Sequence, residues 1–528
     1  MIPQGKLRRI KREAQVQKNE ITQLLIEDMS SEGFGVGHAG GMAVFVKDAV
    51  AGDLVRARIV KVKKHYAYAR LEELLSPGAD RVEPRCPCAR SCGGCQIQEL
   101  SYSAQLRLKE RKVRENLIRI GGLKLDPGED SDGTMRCEEA VFQPIIGMED
   151  PWHYRNKAQF PVGADRDGRI TAGFYAGRTH TIIDNHRCVI GIEENQAVIE
   201  TVISWMEQCG VRPYSESGGD GTIRHVMTRA GFATGELMVV IVAAARELKE
   251  EQKLVSMLLA ALPDHAPSDR SRPCRGSDTG KNKRFRITGI ILNTNPEKTN
   301  VILGREMRVL YGHDYIEDRI GNLTYRIAPG AFYQVNPVQT AVLYQTALDY
   351  AGLTGKETVW DLYCGTGTIS LFLAQRAKRV IGVEVIPEAV RNARQNAELN
   401  HIDNCEFIAG KAEDLAADLP GADVIVVDPP RKGLDRVVID VILRACPVRI
   451  VYVSCDSATL ARDLALLTQG GYRIRKVQPV DQFCHSVHVE TVCLLSNIQR
   501  PKKESYITLD VEMEDYYRIK NEGKNSTT

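Results

Sequence analysis

A chain of 528 residues with 43% hydrophobic and 26% charged residues has the make-up of a globular protein of about two to four domains. A net charge of +2 excludes a uniformly basic protein, and no apolar run nears the ~20 residues of a membrane span. The start, MIPQGKLRRIKREAQ, has no apolar stretch of the kind a secretory signal needs, so the fourteen cysteines are expected in a reducing cytoplasm, where patterned thiols point to metal or catalysis before disulfides.

Charge is uneven. Residues 1–20 carry six Lys/Arg against two acids, and so does RLKERKVRENLIR at 107–119. Each is a candidate footprint for phosphates, to be weighed against an ordinary solvated helix face. Residues 15–75 read as short strands with glycine turns. In VRARIVKV, Val55, Ala57 and Ile59 alternate with Arg56 and Arg58. That pattern predicts a five-stranded, OB-like barrel with Arg56, Arg58, Lys61, Lys63 and Lys64 along one face, suited to nucleic acid.

Residues 76–336 form a central, β-rich α+β region. It holds a cysteine-rich knot at 80–100, a basic helix at 102–120, strand candidates MVVIVAAA and TNVILG, and a low-complexity insert at 264–286. The knot, RCPCARSCGGCQIQ, sets Cys86-x5-Cys92-x2-Cys95, with Cys188 some ninety residues on and Cys88 as an additional thiol. Soft thiolates suit zinc or iron–sulfur. Zinc sites usually show two C-x2-4-C pairs, and this spacing fits a cubane better.

From 337 to 498 helices and strands alternate in the βαβ rhythm of a doubly wound, Rossmann-like sheet. Strand TVWDLY runs into CGTGT, where Gly365 and Gly367 allow a tight turn against a ligand. One strand later Glu384 stands at the carboxyl edge, where it can accept ribose hydroxyls. With VVDPPRKG at the fourth strand, this resembles the class I methyltransferases that use S-adenosylmethionine. Cys364 beside the glycines reads as packing. Amino-directed methyltransferases place an aromatic after D/N-P-P. Arg431 stands there instead, which argues against an exocyclic amine target.

Cys455 closes the fifth strand, on the same edge as Gly365, Glu384 and Asp428. A thiol there has a chemical use. Carbon 5 of uracil is a poor nucleophile until a thiolate adds to carbon 6. A base must later remove the proton from carbon 5. The site must then favour thiolate, and the helix start near residue 457 is expected to help. Glu490 in HSVHVETVCLL is the candidate base, with His485 and His488 as rivals or as structural hydrogen-bonders.

Together SCD-x-x-T-L-x-R-D-L, DPPRKGL, DLYCGTGT, FYQVNP and HVE-x-V resemble the RNA uracil-5-methyltransferase family from about residue 15 to 498. The resemblance implies Cys455 as nucleophile and Glu490 as proton acceptor. It implies Gln334, Tyr363, Glu384 and Asp428 as contacts of the methyl donor, and a 4Fe–4S cluster on Cys86, Cys92, Cys95 and Cys188. It also implies a TRAM-like barrel over 15–75, a central domain gripping RNA, and a methyltransferase domain over 337–498. The tail at 499–528 has no reading. The expected product is 5-methyluridine, in 23S ribosomal RNA before transfer RNA, made by a cytoplasmic monomer. A cytosine-5 methyltransferase and a noncatalytic RNA-binding or iron–sulfur sensing protein are the rivals.

Overall fold

The computed structural model describes residues 16–125, 140–177, 179–216, 218–263, 285–415 and 419–498. The basic start, residues 264–284 of the insert, and the tail with its strand candidate YITLDVEM lie outside them. Among the described residues no helix is long and apolar enough to cross a membrane.

The first unit is a six-stranded sheet, in which strand Leu54–Val62 pairs with both Ile21–Leu25 and Tyr66–Ser76. The sequence pattern predicts five strands; the sixth is the two-residue Asp28–Met29. The predicted alternation is present: Val55, Ala57 and Ile59 are fully buried while Arg56 and Arg58 face outward. Those two arginines are spent on acids, Arg56 on Glu73 and Arg58 on Glu72. They do not form the free basic stripe expected of them.

The central unit is a seven-stranded sheet. Its strand Glu236–Ala243 is the predicted apolar run, and it is continuous because both of its faces are covered. Leu237, Val239 and Ile241 pack with helices Glu194–Cys209 and Glu251–Ala261. Met238, Val240 and Val242 pack with the C-terminal unit. TNVILG is not a strand. The Asn295 side chain donates to the carbonyls of Val301 and Ile302, and Asn293 to those of Gly304 and Glu306. Side chains thus take the carbonyls that a sheet neighbour would need.

The C-terminal unit is an eight-stranded sheet. Numbering its seven strands from Thr358–Leu362 in chain order, they lie 3-2-1-4-5-7-6, with the last, Glu490–Asn497, antiparallel to Arg449–Ser454. The sixth, Tyr472–Val480, has no counterpart in the predicted elements. The eighth member is Val141–Phe142, from far upstream, paired with Tyr472–Val480.

Helix Tyr102–Arg119 explains that detour. Most of its cations have partners within the protein. Arg107 pairs with Asp80 and Arg111 with Asp28, and Arg114 stacks on Phe142. Lys109 is 1% exposed and donates to Asp481 at 2.5 Å and to the carbonyl of Phe483. Lys112 donates to the carbonyl of Val487, and Asn116 to Ser457. Truncating one partner of a buried pair strands the other charge. Lys109→Ala is expected to weaken this unit by about 3–5 kcal/mol. In urea unfolding, Lys109→Met combined with Asp481→Leu should recover most of that deficit.

Candidate active site

Strand Thr358–Leu362 ends in a sharp reversal. Tyr363, Gly365 and Gly367 have φ of +71°, +55° and +81°. Gly365 is needed for conformation alone, since an added Cβ would meet open space. Gly367 also lacks room, with Ala393 and Phe407 at 3.0 Å. Tyr363 takes the left-handed conformation despite its side chain, a local strain. Glu384, at the end of the neighbouring strand, accepts from the Gly365 amide at 3.1 Å and the Ile386 amide at 2.9 Å. Exposed Val385, Ile386 and Phe332 give this polar turn apolar surroundings. Asp361 accepts from Ser370, its Oδ1 has no partner, and burial pushes its carboxyl up to about 7. Gln334 is buried, with its carbonyl accepting from Asn156. The Cys364 thiol packs within 2.9 Å of where a Cβ on Gly382 would sit, as the packing reading expects.

Cys455 follows strand Arg449–Ser454 directly. Ser454 pairs with Thr491, so the ladder sets Cys455 opposite Glu490. Asp428 follows the adjacent strand Val424–Val427. Glu490 is 3% exposed with an unpartnered Oε2, and burial and then Asp428 push its carboxyl well above the usual range. Burial likewise raises Asp428 to about 7. The half-buried Cys455 thiol is pushed up to about 11 by burial, then by Glu490 and Asp428, against a smaller opposing pull from Arg431. Without ligand these surroundings favour the neutral thiol, against the expectation that they favour thiolate. The amides opening helix Ser457–Gln469 are no help either, because the Asp456 side chain accepts those of Ala458 and Thr459.

The T-L-x-R-D-L run fastens the loop carrying Asp428 and Arg431. Asp463 accepts from the Leu434 amide and the Tyr452 hydroxyl, both at 2.7 Å. Arg462 donates to the carbonyls of Lys432 and Leu434, and Thr459 to that of Arg431. Sequence reasoning missed these roles, although Thr459, Arg462 and Asp463 stand at helical spacing on one face. The stretch 481–490 hangs on helix Tyr102–Arg119 through Lys109, Lys112 and Tyr102, whose hydroxyl donates to Asp481 at 2.8 Å. His485 belongs to this support. Its ring stacks on Trp152, Nε2 donates to the Pro151 carbonyl, Nδ1 accepts from Gln105, and burial lowers it to about 4. Both nitrogens are spent, which removes it as a base. His488 is lowered to about 4 by burial and then by Arg431 and Lys112.

The cysteines of the knot and Cys188 share one neighbourhood: Cys88, Cys92, Cys95 and Cys188 are each raised, in part by neighbouring thiols. Burial is the larger cause and pushes Cys95 up to about 12. Cys92 accepts from the Gly94 amide, Cys86 lies 3.7 Å from Asn185 Nδ2, and Cys88 from the same knot is 3.6 Å from the Asp184 carbonyl. Among the described residues no group of three or more His, Cys, Asp or Glu side chains is placed to hold a metal ion.

The strand order, the glycine turn and its carboxylate define a methyltransferase domain of the S-adenosylmethionine-using class. Residues 292–498 match the model of the tRNA (uracil-5-)-methyltransferase family, and residues 15–71 match the TRAM domain. The chain belongs to the RNA uracil-5-methyltransferase family. It is 45% identical to an "uncharacterized RNA methyltransferase" of Halalkalibacterium halodurans, over 92% of this chain and 99% of that one. A Clostridium tetani protein of the same description is 42% identical over 94% and 100%. The crystal structure of Pyrococcus abyssi tRNA (uracil-54, C5)-methyltransferase with S-adenosyl-L-homocysteine superposes with a TM-score of 0.68 at 25% identity, covering 90% of this chain and all of that one.

A thiol raised to about 11 stays protonated and slow at neutral pH. Alkylation of Cys455 by iodoacetamide in the ligand-free chain should accelerate ~tenfold per pH unit towards that value. A rate already at its plateau near pH 7 would contradict the site described.

Proposed function

We propose that the chain methylates carbon 5 of a uridine in structured RNA, with 23S ribosomal RNA as its substrate. The observation that carries this reading is the placement of Cys455, one residue past its strand, against Glu490 at the start of the neighbouring strand, with Asp428 at the same carboxyl edge. Cys455 gives up its thiol proton to water and adds as the thiolate to carbon 6, forming an S–C6 bond as the C5–C6 double bond opens and leaving carbon 5 nucleophilic. S-adenosylmethionine, when bound, supplies the methyl group on an electrophilic sulfonium. Once carbon 5 carries that methyl, Glu490 takes the proton from it. The S–C6 bond then breaks, returning the thiolate and restoring the ring double bond. A carboxyl held well above its usual range is a strong acceptor once ionised.

The donor fits the turn. Glu384 would accept its ribose hydroxyls, Gly365 and Gly367 would admit its backbone contacts, and Gln334, Tyr363 and Asp428 would touch it. The unpartnered Oδ1 of Asp361 and the exposed Val385 and Ile386 suit a ligand with both polar and flat apolar parts. Cys86, Cys92, Cys95 and Cys188 would hold a closed 4Fe–4S cluster that ties the knot to the central sheet. Their shared, desolvated neighbourhood supports that ligand set, since ligation relieves crowded buried thiols by charging them against iron. The pairing of a TRAM barrel with such a knot favours ribosomal RNA by analogy, while the Pyrococcus neighbour's name keeps transfer RNA as the alternative.

Both RNAs from a strain lacking the gene should be offered side by side. The unsubstituted chain is expected to methylate 23S RNA. Cys455→Ala should abolish transfer and retain RNA binding, and Glu490→Gln should accumulate a denaturation-stable protein–RNA adduct. Transfer by Cys455→Ala would rule out the nucleophile. Anaerobic purification should return about four iron and four sulfide per chain. A chain holding zinc alone contradicts the cluster.

A further inference from the structure

The barrel carries a feature that the reaction does not use. Phe34, Phe45, Tyr66 and Tyr68 are half-buried, and none belongs to the barrel core of Leu24, Val44, Val55 and their neighbours. Alternation turns the three strand rings outward: Ala67 and Ala69 point in beside Tyr66 and Tyr68, and Val44 and Val46 beside Phe45. Register gathers them, with Phe45 opposite Tyr68 and Lys61 opposite Tyr68 on the other side. The ring centroids of Phe45, Tyr66 and Tyr68 stand 5.6–5.7 Å apart, and Phe34 lies 5.9 Å from Tyr68.

Cross-strand aromatic pairs do stabilise sheets. That accounts for one pair and not for four rings on a solvent face, where such residues are scarce. The charge beside them is also particular. Arg56, Arg58 and Arg70 are paired with acids, whereas exposed Lys61, Lys63 and Lys64 have no ion pair among the described residues. The Phe34 end of the platform approaches the stretch that leads into Glu490. Gly33, next to Phe34, is so close to the stretch before Glu490 that an added Cβ would stand 3.0 Å from Val487. The adjoining Asp28 pairs with Arg111 of the helix that holds that stretch.

We propose that this face is a stacking platform for unpaired bases of the RNA that flank the target uridine, with the three lysines along their phosphates. It rests on RNA being the substrate, and it adds the mode: stacking of single-stranded bases, without reading their sequence. A duplex presents no free base faces and should gain nothing from these rings.

The test uses the full chain and a fluorescein-labelled, uridine-rich single strand of about 12 nucleotides, within the ~4–16 that such barrels cover. The same sequence as a duplex is the control. Phe45→Leu with Tyr68→Leu should weaken single-strand binding by about tenfold or more, spare the duplex, and leave the salt dependence unchanged. Lys61→Gln, Lys63→Gln and Lys64→Gln together should flatten the salt dependence, by about 0.7 in log–log slope for each phosphate no longer neutralised. Phe45→Tyr with Tyr68→Phe keeps the rings and should keep the affinity, which separates stacking from barrel damage. Unchanged binding by the leucine variant, or equal weakening on strand and duplex, overturns the platform. If the platform binds single strands but the unsubstituted chain methylates no RNA, the platform stands and the proposed reaction falls.

Discussion

The buried pair of Lys109 and Asp481 sets the geometry of everything downstream. Two charges taken out of water are tolerable only when each is fully satisfied. Here Lys109 also donates to the Phe483 carbonyl, and Asp481 also accepts from Tyr102. These bonds fix one helix against the stretch that leads into Glu490. One turn further along, Lys112 holds the Val487 carbonyl. Another turn on, Asn116 holds Ser457, at the start of the helix that follows Cys455. A single helix from far upstream thus supports the segments that carry both candidate reactive side chains. The strand Val141–Phe142 is part of the same arrangement, since it joins the C-terminal sheet at its edge.

The candidate nucleophile stands in surroundings that oppose its charge. Burial and two carboxyls raise the thiol, and Arg431 pulls the other way by less. A half-buried cysteine kept neutral is a poor target for oxidants and alkylating agents, which react with the thiolate. In the proposed reaction, the negative charge is short-lived on sulfur and passes into the pyrimidine ring. Glu490 follows the same logic: burial holds it near protonation until it must take a proton from carbon. The surroundings are fastened on both sides: Asp463 and Arg462 clamp the loop that carries Asp428 and Arg431, and the helix cations hold the stretch that leads into Glu490.

Local sequence carried the C-terminal sheet well, because a strand buried on both faces is written as an uninterrupted apolar run, as in Val424–Val427. It carried the glycine turn because glycine suits two of its three positive φ positions. It did not carry Tyr472–Val480, whose basic, interrupted pattern is that of a strand near a sheet edge. Nor did it carry the fate of the basic helix: a lysine destined for a buried carboxylate looks, in one dimension, like a lysine destined for solvent. The aromatic platform was hidden for a related reason. Phe34 sits just before one strand, and Phe45 and Tyr68 lie on two others, so only the register joins them. The thiol's raised proton affinity is likewise a property of assembled surroundings, which spacing does not contain.

Sulfur–carbon bond formation at one residue is the step on which the proposed chemistry turns. RNA carrying 5-fluorouridine cannot lose a proton from carbon 5, so the reaction should stop with the enzyme still attached. Incubation with such RNA and S-adenosylmethionine, followed by denaturation, digestion and mass spectrometry, is predicted to find a methylated fluorouracil nucleotide on the peptide containing Cys455. Recovery of methylated RNA with no adduct, or an adduct on any other cysteine, would contradict it.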